Sequence, residues 1–117
     1  MFALRDIDHI VLRVHDMDRM IAFYRDIIGC AVEGGRPDRS LMHLRAGASI
    51  IDLMQADAVA GGPSPAHNLD HFCLNVENFD PEAATTALRE QGVEVEGRTS
   101  RRTLFLLDPE GNRVELR

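Results

Sequence analysis

Asp8-His9-Ile10-Val11-Leu12-Arg13-Val14 and Asp70-His71-Phe72-Cys73-Leu74-Asn75-Val76 carry Asp, His, Leu and Val at matching places, sixty-two positions apart. In an extended chain, alternate side chains point to opposite sides. Ile10, Leu12 and Val14, or Phe72, Leu74 and Val76, then share an apolar side, opposite His9, Val11 and Arg13 or His71, Cys73 and Asn75. Each stretch reads as a half-buried strand. The match continues at an offset of sixty-three, with Gly29 and Gly92, Glu33 and Glu96, and Asp52 and Glu115. One module has been used twice, and that repeat decides the architecture.

Each strand is followed by the same kind of helix. In the first half Met17, Met20, Ile21, Tyr24 and Ile28 fall at helical spacing, Asp16 or Asp18 can cap the start, and Gly29 supplies a left-handed stop. In the second, Phe79 precedes a cap at Asp80, Pro81 takes the first helical position, Ala84, Ala87 and Leu88 form a modest apolar face, and Gly92 ends it. Three short strand-like runs follow each helix, at 31–34, 41–45 and 49–55, then at 93–97, 103–107 and 113–117. Asp108-Pro109-Glu110-Gly111-Asn112 is the last turn. The expectation is an α+β fold of two tandem βαβββ modules in a single domain, 1–117, with module one at 5–56 and module two at 69–117. Residues 57–68, rich in Ala, Gly, Pro and Ser without periodicity, read as the linker.

Composition narrows the chemistry. All 13 basic residues among the 117 are arginine, so Schiff-base chemistry and a phosphate-loop lysine are excluded. A net charge of -6 argues against a counterion-displacing grip on nucleic acid. The sequence shows no long apolar run and no signal-peptide pattern, so the expectation is a cytoplasmic protein with no membrane partner. Cys30 and Cys73 lack CxxC spacing and read as free thiols.

The polar residues that interrupt the apolar strands are themselves paired by the repeat: His9 with His71, and Asp52 with Glu115. With the apolar sides packed on the helices, these four share the opposite face. Two imidazoles and two carboxylates suit a divalent first-row metal, zinc, nickel, cobalt, manganese or iron, with water completing the coordination.

Those residues, together with Ile21-Ala22-Phe23-Tyr24-Arg25-Asp26-Ile27-Ile28-Gly29 and Asp108-Pro109-Glu110-Gly111-Asn112-Arg113-Val114-Glu115, resemble the vicinal oxygen chelate superfamily over nearly the whole chain. That superfamily includes glyoxalases, extradiol dioxygenases, methylmalonyl-CoA epimerases, and fosfomycin and bleomycin resistance proteins. The resemblance implies a cupped sheet around a metal at His9, His71 and Glu115, with Asp52 in the fourth place. It also implies a homodimer and a small-molecule substrate whose neighbouring oxygens meet the metal. The leading expectation is a glyoxalase-like lyase or isomerase working through an enediolate, with Glu115 or Asp52 moving the proton. An extradiol-type dioxygenase and a non-catalytic drug-binding resistance protein are the alternatives. At the fourth place glyoxalases commonly carry Glu or Gln, and aspartate is one methylene shorter. Asp52 therefore binds directly, binds through water, or leaves the metal to the other three.

Other polar residues have plainer readings. His15, His43 and His67 lack histidine partners in the repeat and read as surface or loop residues. Cys73 shares the His71 side and can line a pocket. Arg13, Asn75, Arg113 and Arg117 fall in the ligand-side register and read first as solvated groups. Met17 and Met20 read as core.

Overall fold

The computed structural model describes residues 1, 3–56, 69, 71–100 and 102–117, the side chains of 98–100 excepted. The predicted linker 57–68, with His67 in it, and Asp70 lie outside the described residues. The chain divides into two compact units, Met1–Pro63 and Ser64–Arg117.

Unit one runs β1 (His9–Val14), α1 (Met17–Ala22), a π-helical stretch Phe23–Ile28, β2 (Ala31–Gly35), β3 (Leu41–Ala46) and β4 (Ser49–Gln55). Unit two runs β5 (Phe72–Leu74), α2 (Pro81–Glu90), β6 (Val95–Ser100), β7 (Thr103–Leu107) and β8 (Arg113–Leu116). The sheets have the same order, β1-β4-β3-β2 and β5-β8-β7-β6, with the first strand of each module parallel to its last and the other neighbours antiparallel. The two outer hairpins even share a register shift, at Val32/Gly34 and at Val95/Gly97. A feature that local costs the ladder a residue, kept at equivalent places in both halves, is a mark of copying.

Both helix starts follow the expected capping. Asp16 accepts from Arg19 N–H, and Asp80 accepts from Glu82 and Ala83 N–H ahead of Pro81. The first helix departs from a uniform α-helix after Ala22, where it widens. Gly29, at φ 96°, and Cys30 both donate backbone N–H to the Tyr24 carbonyl, which closes the wide turn. Met20, Ile21, Phe23 and Tyr24 are all buried, the two rings edge to face at 5.1 Å. They pack with Leu12, Val14, Leu44, Ile51 and Leu53 as the core of unit one. In unit two the buried apolar residues, among those described, are Pro81, Leu88, Leu104, Leu106, Val114 and Leu116. Among the described residues no helix is long and apolar enough to cross a membrane.

The alternation is borne out on β1 and β8, where Leu12 and Val14, and Val114 and Leu116, are buried, whereas on β4 Asp52 is buried along with Ile51 and Leu53. It is weaker on the strand expected at 69–76, which is only Phe72–Leu74, with Val76 exposed and His71 just ahead of the strand. The parallel ladder has three registers, Phe72 to Val114, Cys73 to Glu115 and Leu74 to Leu116, and Val76 N–H still donates to the Arg117 carbonyl beyond them.

Candidate functional site

The two residues expected in unit one sit on one face of its sheet. Cα pairing sets His9 opposite Ile50 and Val11 opposite Asp52, so His9 lies one pleat along from Asp52. The His9 ring donates through Nδ1 to Oδ2 of Asp8 at 2.7 Å, and its side chain is half-exposed. That hydrogen bond, opposed by desolvation and helped by the charges of Asp52 and Asp8, raises the imidazole above its ordinary pKa. Asp52 is buried, and its Oδ1 is held by Nδ1 of His43 at 2.6 Å.

His43 is the residue that sequence reasoning missed. It lies on β3 directly across from Asp52, with a side chain 40% exposed against 9% for the aspartate. The signal was present in the hairpin. A two-residue turn at Gly47-Ala48 pairs Ala46 with Ser49, which fixes every later rung and brings His43 opposite Asp52.

In unit two the last turn sets the geometry. Asp108, nearly fully buried, accepts from the backbone N–H of Glu110 and Asn112 and from the Asn112 side-chain amide at 2.7–2.9 Å. Its own N–H donates to the Asn112 carbonyl, and Gly111, at φ 84°, donates back to the Asp108 carbonyl. The turn thereby ties Asp108 to Glu110, Gly111 and Asn112 and delivers Arg113 opposite Leu107 and Glu115 opposite Phe105. Nε2 of His71 lies 3.3 Å from Oε2 of Glu115. The Phe105 ring stands edge to face against the His71 imidazole at 5.1 Å and limits its swing. Cys73, across from Glu115, has its thiol pushed up, first by desolvation and then by the Glu115 charge.

A cleft of about 330 Å³ opens beside His71, lined also by Leu69, Leu107, Asn112, Glu96 and Arg113. Arg113 is not a solvated cation: Glu96 binds its Nε at 2.6 Å, and its guanidinium lies 5.9 Å from the Phe105 ring centre. Cys30 and Cys73 are both free thiols, the first buried and the second exposed.

Unit one thus has two imidazole–carboxylate pairs, His9 with Asp8 and His43 with Asp52, and unit two has His71 with Glu115; among the described residues, no three His, Cys, Asp or Glu side chains gather into a set able to hold a metal. The two donors of unit two, His71 and Glu115, are of a kind and spacing compatible with a divalent metal. Ligands about 2.1 Å from one ion stand about 3.4 Å apart in a tetrahedron and about 3.0 Å apart at right angles, and the His71 to Glu115 spacing of 3.3 Å falls in that interval.

The family profile for the Glyoxalase/Bleomycin resistance protein/Dioxygenase superfamily matches residues 6–116. The metallothiol transferase FosB of Staphylococcus epidermidis is 25% identical over 97% of this chain and 81% of its own. Among solved structures, the trypanothione-dependent glyoxalase I of Leishmania major is similar at 25% identity and TM-score 0.76, over 97% of this chain and 86% of that one. The lactoylglutathione lyase of Agrobacterium tumefaciens is similar at 25% identity and TM-score 0.74, over 95% and 91%. With the repeated βαβββ order, the copied His and carboxylate positions and a profile match across both modules, the chain belongs to the Glyoxalase/Bleomycin resistance protein/Dioxygenase superfamily.

Proposed function

We propose that the protein is a metal-dependent enzyme of glyoxalase type, moving a proton next to a carbonyl in a small substrate with neighbouring oxygens. The observation that carries this reading is the imidazole–carboxylate spacing at His71 and Glu115, at positions the repeat duplicates in unit one. His9, His71 and Glu115 would hold the divalent ion, with Asp52 in the fourth place, directly or through water. The ion supplies Lewis acidity that stabilises negative charge developing on the substrate oxygens. Glu115 or Asp52 is the carboxylate that carries the proton, and Glu115 already lies 3.3 Å from His71. His71 is kept in place by Phe105, and the cleft beside it admits the substrate. The working form is a cytoplasmic homodimer, with the modules paired within one chain or swapped between two.

The test is elemental analysis of protein purified without added metal, followed by titration with a hydroxamate as a vicinal-oxygen ligand. A divalent ion at one per chain, lost in His71→Ala, together with hydroxamate binding only to the loaded protein, is the expected result. If the loaded protein binds no such ligand and His71→Ala keeps the same metal affinity, the reading is wrong. A second reading, thiol transfer, draws on the likeness to the metallothiol transferase over 97% of this chain. Metal-dependent consumption of a thiol with an electrophilic substrate, without proton exchange next to a carbonyl, selects it instead.

A further inference from the structure

We propose that Arg113, held in the cleft of unit two, takes the carboxylate of an anionic small substrate. The inference rests on the functional reading above and deepens it by naming the charge at the far end of that substrate. Every residue it uses on the protein belongs to unit two. Strand alternation puts Arg113 and Glu115 on one side of β8, about 7 Å apart along the strand. Leu107 and Phe105 stand opposite them on β7, and the cleft beside His71 is walled by Arg113, Glu96 and Asn112. A ligand with its neighbouring oxygens at His71 and Glu115 therefore has Arg113 a few bonds away. Leu69 and Leu107 supply the apolar wall for a short carbon chain between the two ends.

The repeat separates this arginine from the needs of the fold. Glu33 and Glu96 match at the offset of sixty-three, but the residue matching Arg113 is Ile50. Unit one builds the same strand order with that isoleucine, and its Glu33 pairs with Arg45 of the neighbouring strand β3 instead. In unit two β7 lies between β6 and β8, so the Glu96–Arg113 pair reaches across it and the guanidinium lies over the sheet face. Glu96 accepts from Nε at 2.6 Å and from Nη2 at 3.3 Å, and the Phe105 ring centre is 5.9 Å from the guanidinium carbon. A guanidinium fixed in this way has given up side-chain freedom before a ligand arrives, which favours a selective contact. The Arg113 side chain is 40% exposed, so a ligand can reach it. Because the charge of Glu96 offsets that of Arg113, selection falls to the paired N–H geometry of the fork, which a planar carboxylate matches.

The experiment loads the full chain with Co²⁺ and titrates it calorimetrically with two hydroxamates, succinate monohydroxamate and the same molecule with its carboxylate replaced by a carboxamide. The unmodified protein is expected to bind the carboxylate about 10-fold to 100-fold tighter than the carboxamide. Arg113→Met is expected to abolish that preference, and Arg113→Lys to restore part of it, since an ammonium returns the charge without the fork. Equal binding of the two ligands by the unmodified protein, or the same preference in Arg113→Met, overturns the assignment of Arg113 and leaves the metal reading standing. Failure of the unmodified protein to take up Co²⁺, or to bind either hydroxamate once loaded, overturns both. The comparison on the unmodified protein decides the matter even if a variant does not fold.

Discussion

The two units share a strand order, parallel pairing of first and last strands and a bulged outer hairpin, yet differ where it matters for chemistry. Across from the carboxylate on the last strand, unit one has an imidazole hydrogen-bonded to Asp52, and unit two has the Phe105 ring beside Glu115. Their cores differ as well. Unit one buries Met20, Phe23 and Tyr24 from its helical segment, whereas α2 contributes Leu88 and Pro81. Duplication preserved what the backbone needs, namely register, caps and turns. It left side chains on the sheet face free to diverge, and two non-identical halves can then specialise.

The largest effect expected tests the halves by function. His71→Ala or Glu115→Ala should reduce metal-dependent turnover by at least about 100-fold, since each removes a proposed ligand. Equal turnover in either variant, with metal content unchanged by elemental analysis, would break the proposed division of roles.

Next comes the core. Leu44→Ala and Leu106→Ala, at equivalent fully buried positions of β3 and β7, should each cost about 2 to 5 kcal/mol in denaturant unfolding. A clearly smaller cost in unit two would show that its leaner helix lets the site collapse.

Exchanging the divergent rung is subtler. His43→Phe makes unit one resemble unit two and leaves the buried Asp52 without its imidazole, an expected cost of about 1 to 3 kcal/mol. Phe105→His, the reverse exchange, removes the edge-to-face contact with His71 and should cost about 1 kcal/mol. Matching costs would remove the asymmetry.

The caps come next. Asp80→Ala and Asp16→Ala should each cost about 1 kcal/mol, the former more, because Asp80 serves two backbone N–H groups and Asp16 one.

The smallest effect is in the thiols. Burial pushes Cys30 from 9.0 up to about 11. A pKa raised in the folded state means that its stability contribution is complete below pH 9 and fades as pH rises toward 11. Thermal midpoints should therefore fall over that window, and Cys30→Ala should flatten the slope. At pH 8, iodoacetamide should modify exposed Cys73 first and reach Cys30 only on unfolding.

Much of this was legible in the order of residues. The repeated Asp-His strand, Gly29 and Gly92 as stops, Asp80-Pro81 as a helix start and the Asp108 turn are local signals, and local backbone preferences act over a few residues. The pairing of His71 with Glu115 was legible too, because the repeat placed both on one side of alternating strands. The widening after Ala22 was not, since it depends on which carbonyl Gly29 and Cys30 reach. Nor was the register of β5, which pairs with a strand more than forty residues away.

By itself the sequence determined the duplication, the element order and which residue types could meet a metal, since all three follow from periodicity and spacing along one chain. Only the tertiary structure decided which side chains touch. His43 had no histidine counterpart in the repeat and read as a surface residue, yet strand pairing brought it to 2.6 Å from Asp52, because rungs of a sheet join residues by register rather than by likeness.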